Sequence, residues 1–72
     1  LAPGRAESAS RLALFLASAG RHADAARWFE RAFRSSPTAA LAEDAARAWH
    51  LAGDPARARE WNDRAMTAGR VG

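Results

Sequence analysis

Two stretches of this chain copy one another at an offset of 33 residues: GRHADAARWFERAF from Gly20 and GDPARAREWNDRAM from Gly53. Gly20 aligns with Gly53, Ala25 with Ala58, Trp28 with Trp61, Arg31 with Arg64 and Ala32 with Ala65, while Phe33 stands where Met66 does. Carried towards the N-terminus, the same offset sets Ala13 on Ala46 and Leu16 on Trp49. A period of this size holds one supersecondary unit per copy, and such units bury their apolar faces on each other. With 72 residues the chain has room for two units and forms at most one small domain.

The units read as helices. Valine occurs once and isoleucine never, so strands are not expected. Breakers at Pro3-Gly4, Gly20, Ser36-Pro37, Gly53 and Gly69 mark off four segments. Each segment repeats small or apolar residues at helical spacing. The stripes are Ala9, Leu12, Ala13, Leu16 and Ala19; Ala25, Phe29, Ala32 and Phe33; Ala42, Ala45, Ala46, Trp49 and Ala52; and Ala58, Trp61, Ala65 and Met66. Asp54-Pro55 is a strong helix start, because the Asp side chain accepts free backbone N–H groups and Pro fits the first turn. Ser36-Pro37 is expected to act similarly, and Gly20 and Gly53 suit the left-handed residue that ends a helix. The expected helices are about 5–19, 22–35, 38–52 and 55–68. Their short connections make neighbours antiparallel.

Small and large residues alternate in AARWFERAFRSSP, Ala25 to Pro37, as a tightly fitted helix requires. Ala25 and Ala32 let it approach the first helix, while Phe29 and Phe33 are expected to fill the gap towards the next unit's first helix. Trp28 and Trp61 flank that stripe at one repeated position, and packing explains them better than a ligand ladder.

Charge narrows the function. All 11 basic residues are arginine, and the net charge is +3. Acids interleave with them at four-residue spacing: Glu30 with Arg34, Glu43 with Arg47 and Glu60 with Arg64. Such pairs are each worth about 0.2–0.5 kcal/mol on a helix. The pattern reads as a solvated surface, so nucleic acid is not an expected partner. No apolar run approaches a membrane span and no signal-peptide pattern is visible, so no membrane partner is expected and the default compartment is cytoplasmic. Leu1 in place of an initiating Met suggests an excised domain or a processed product.

Chemistry finds few candidates. Cysteine is absent, which excludes disulfides and thiolate chemistry. His22 and His50 fall near equivalent turns, but two imidazoles would need carboxylates such as Asp24 or Asp54 to complete a metal site. No nucleophile motif surrounds the serines, and there is no glycine-rich phosphate loop. No enzyme activity, metal or cofactor is expected.

The period and its small and large positions resemble the tetratricopeptide repeat. Leu12-Ala13, Leu16, Gly20, Ala25, Phe29, Ala32 and Pro37 fit its pattern in the first unit, about 6–37. Ala46, Trp49, Gly53, Ala58 and Ala65 fit in the second, about 38–70. Departures are Ala9 at the tryptophan position, Ala45 at the leucine position, Asn62 where Phe29 sits and Arg70 where Pro37 sits. The resemblance implies an all-α fold of two stacked helix pairs with a concave groove lined by the first helix of each unit. It implies a non-catalytic adaptor that binds a peptide segment or a partner protein there. The groove positions off the packed stripe are Ser10, Leu14, Ala17, Glu43, Arg47, His50 and Leu51. Of the positions at which some relatives clamp a terminal carboxylate (Ser10, Leu14, Glu43 and Arg47), only Arg47 would serve, so a clamp is not expected. Glu43, one turn before Arg47, is expected to hold its guanidinium.

Three further expectations concern the ends. Two units are fewer than a solenoid usually needs, so melting at modest temperature is expected. Arg59 and Asn62 replace Ala26 and Phe29 and should face water, ending the array. Phe15 is expected to be covered by Leu1-Ala2-Pro3, by a second copy or by a partner. That makes a self-associating structural module the alternative function, with a homo-oligomer as its partner state.

Overall fold

Periodicity and breakers translate directly into elements. The computed structural model describes residues 5–69, which form α1 (Arg5–Ser18), α2 (His22–Ser35), α3 (Ala39–Leu51) and α4 (Pro55–Gly69). No strand occurs among the described residues. The fold is all-α, and α1 packs on α2, α2 on α3 and α3 on α4. Leu1-Ala2-Pro3 and Arg70 lie outside the described residues.

The α1–α2 and α3–α4 turns are one structure built twice. Gly20 and Gly53 have φ of 83° and 86°, where a β-carbon is strained. The Gly20 N–H donates to the Ala17 carbonyl at 3.0 Å and the Arg21 N–H to that of Leu16 at 2.9 Å. The matching pairs are Gly53 to His50 at 3.0 Å and Asp54 to Trp49 at 2.9 Å. These doubled bonds satisfy carbonyls that the helix end leaves free. Asp54 then caps α4, accepting the Arg57 N–H on Oδ1 at 3.1 Å.

The start of α3 differs from expectation. Ser36 does not cap it; Thr38 does, accepting the Leu41 N–H on Oγ1 at 3.2 Å. Pro37 acts on the preceding helix instead. The residue before a proline avoids the helical region, and Ser36 sits outside it at φ −147°, ψ 86°, closing α2.

Small residues set the spacing of the helices. Ala13, Ala25, Ala26, Ala32, Ala42 and Ala45 have no exposure, and Leu16, Phe29, Trp49 and Trp61 are the buried large side chains. Across the unit boundary, the Trp49 indole N–H donates to Glu30 Oε2 at 2.6 Å. Phe33 meets the Trp61 ring edge-on, with centroids 5.2 Å apart and planes at 87°. One arginine stacks on each tryptophan: Arg31 on Trp28, Arg57 on Trp49 and Arg64 on Trp61, at 4.4–4.8 Å.

Two of the anticipated ion pairs do not form among the described residues. Glu30 turns to Trp49 instead of Arg34, accepting the part-buried indole N–H, a donor that is costly to leave unpaired. Glu43 makes no ion pair with Arg47 among the described residues; Glu60 and Arg64 do pair, at 3.5 Å. Arg59, Asn62 and Met66 are exposed along the outer face of α4, as expected for the first two.

Candidate functional site

Antiparallel helices crossing at alanines leave furrows beside each crossing. One furrow lies between α1 and α3, with α2 as its floor. Leu14 and Ala17 form one wall, Phe29 and His22 the floor, and Arg47 and Leu51 part of the other wall, which Asp44 and Ala48 complete. Its volume is about 170 Å³. Leu14 and Leu51 are 60% and 56% exposed, so the rim offers apolar surface to solvent on both sides.

Charge inside this furrow is concentrated on α3. Burial pushes the Asp44 carboxyl above its ordinary value of 3.8; Arg47 opposes that shift and Glu43 adds to it. The His22 Nδ1 is buried and has no hydrogen-bond partner. The furrow thus joins an arginine, a reluctant carboxylate and an unpaired imidazole nitrogen to a leucine-lined rim.

A second furrow is the first one shifted by a repeat. Arg47, His50 and Asn62 stand 33 residues after Leu14, Ala17 and Phe29, and they line it together with Glu43, Ala46 and Ala58. Its volume is about 440 Å³, and it runs between α3 and α4 alone. The first furrow is the narrower and its lining surface is mostly apolar, whereas polar and apolar surface share the second about equally.

The anticipated groove residues are divided between these two places. Leu14, Ala17, Arg47 and Leu51 share the first furrow. Glu43 and His50 line the second, and Arg47 stands on the ridge between them. Ser10 lines neither, and its hydroxyl donates to the Glu7 carbonyl at 3.0 Å. Sequence reasoning missed His22, Phe29, Asp44 and Ala48. Phe29 reads as packing alone, and His22 is simply the first residue of the expected second helix, as it is of α2. The signal that could have found the floor is the repeat itself, since Phe29 and Asn62 take the same position in successive furrows.

His22 and His50 fall in separate furrows. Among the described residues, no three His, Asp or Glu side chains converge into a metal-binding group. No helix among them is long and apolar enough to cross a membrane. Phe15 stands 67% exposed on α1. No protein-family model matches the chain, and neither a curated protein nor a solved structure matches it.

Proposed function

We propose that the chain is a non-catalytic interaction module of the tetratricopeptide kind. Its two helix-turn-helix units hold a peptide segment of a partner protein in the α1–α3 furrow. The observation that carries this reading is the pair of exposed leucines, Leu14 and Leu51, on either side of Arg47 over a floor of Phe29. A solvated surface helix has no need of that arrangement, whereas an extended peptide with a bulky apolar side chain beside a carboxylate fits it. Arginine grips a carboxylate with two parallel hydrogen bonds. At a desolvated centre such a contact is worth about 2 kcal/mol or more.

The test is a peptide array screened with the wild type and with Arg47→Glu. The variant is expected to lose at least about tenfold in affinity, with its helical signal and melting temperature nearly unchanged. A partner peptide bound equally by both proteins overturns the furrow as the site. A second reading, self-association, has one observation in its favour: the exposure of Phe15. Under it, sedimentation shows a dimer of the wild type that Phe15→Asp disperses; a monomer at all concentrations removes it.

A further inference from the structure

The internal repeat shows one seat twice, once filled and once open. In the second unit, α2 lies across α3, and its Phe33 packs at right angles to the ring of Trp61, which is 4% exposed. In the first unit the same position holds Trp28, which keeps its stacked arginine, Arg31, but is only half-buried. Trp28 lies in a cavity of about 740 Å³ between α1 and α2. Arg5, Ser8 and Leu12 line it from α1, and Arg31 and Ser35 join Trp28 from α2. Leu12 is 38% exposed, and Phe15 extends the same ridge.

We infer that this end face is a docking seat for an acidic amphipathic helix of a partner polypeptide, which sets one aromatic side chain against Trp28. The helical form and the aromatic follow from the filled seat, where the occupant is a helix and the contact is Phe33. The acidic character follows from the lining, which among the described residues holds two arginines and no carboxylate. This surface is distinct from the α1–α3 furrow, and its occupancy does not depend on a peptide in that furrow.

The occupant is not another copy of the repeat. In the filled seat the receiving positions are Ala45 and Ala48, both buried, and Phe29 supplies the bulk from the other side, lining one furrow with Ala48. In the open seat those positions hold Leu12 and Phe15, 33 residues earlier. A helix bearing phenylalanine at the Phe29 position would collide with Phe15, so the partner is small there. Nor is α4 of a second copy suited to it. Arg59 would enter at the position of Ala26, against a face that already carries Arg5 and Arg31.

The probe is a synthetic 14-residue helix built on α2. It keeps Phe33, has alanine in place of Phe29, and has glutamate in place of Arg27, Arg31 and Arg34. Titrated into isotope-labelled protein, it is expected to shift the Trp28 indole resonance and leave that of Trp49 in place. Arg31→Glu in the protein, and alanine for Phe33 in the probe, should each weaken binding by about tenfold. Arg47→Glu should leave it unchanged, which separates this seat from the furrow. Melting curves establish that Arg31→Glu folds, and Arg5→Glu gives the same charge test away from the Trp28 ring. The inference is overturned if the glutamate probe and its arginine parent bind alike, if the probe does not bind at all, or if Arg47→Glu removes binding. It is also overturned if sedimentation finds the face already occupied by a second copy, as a dimer that Leu12→Glu dissociates.

Discussion

Helices α2 and α4 hold the same place in their units, yet only one of them is covered on two sides. Along the side that meets the unit's own first helix they agree: Ala25 and Ala58, Ala32 and Ala65 are all buried. Along the outer side they diverge. Ala26, Phe29 and Phe33 of α2 meet α3 and α4, whereas Arg59, Asn62 and Met66 of α4 are exposed. Position within the repeat therefore decides the inner stripe, and the presence of a neighbour decides the outer one.

The largest expected effect comes from truncating the same position in each helix. Phe29→Ala should cost about 3–5 kcal/mol, a large fraction of the stability of a domain this size. Asn62→Ala should stay within about 0.5 kcal/mol. Urea denaturation of the two variants measures the difference; equal losses would mean that the outer face of α4 is packed in solution.

The polar contact across the unit boundary gives the next test. Glu30→Ala leaves the part-buried Trp49 indole N–H without its acceptor, at a cost of about 1–3 kcal/mol. Asp63 holds the matching position in α4, exposed, and Asp63→Ala should change stability by under about 0.5 kcal/mol. Glu30→Gln retains an acceptor and should recover part of the loss. If the Glu30 and Asp63 variants melt together, the bond contributes nothing to the joining of the units.

Asp44 supplies the smallest effect. Its folded-state pKa is raised, chiefly by burial, so the folded chain holds that proton more tightly than the unfolded chain does. Stability from this group therefore increases as pH falls through the raised value, and the gain is complete below the unfolded value of 3.8. Above that window the ionised carboxylate costs stability, with Arg47 relieving part of the cost and Glu43 adding to it. Asp44→Asn should raise the melting temperature at pH 7, by an amount that shrinks as the pH approaches 3.8. A lower melting temperature at pH 7 would show that Asp44 is held by a favourable partner.

The helices, the inner stripes and the two glycine turns were legible in the sequence because each rests on residues at most four or five apart. The α3 cap was not, because Ser36-Pro37 and Thr38 both offer a start, and only the backbone at Ser36 decides between them. Glu30 read as half of a pair with Arg34, and its bond to Trp49, 19 residues away, required knowing which helix crosses α2. The furrow was half legible. Leu14, Arg47 and Leu51 follow from the groove that the resemblance implies on the first helix of each unit, but the floor at Phe29 and His22 depends on the depth at which α1 and α3 part.

The buried alanines have an entropic consequence. Their methyl groups have no alternative rotamers to lose, so ordering them at those crossings costs no side-chain entropy. The four helices form a slab only 12 Å through its thinnest extent, joined in series. Because α1 and α3 each pack on α2, the alanine crossings on its two sides set the width of the gap between them.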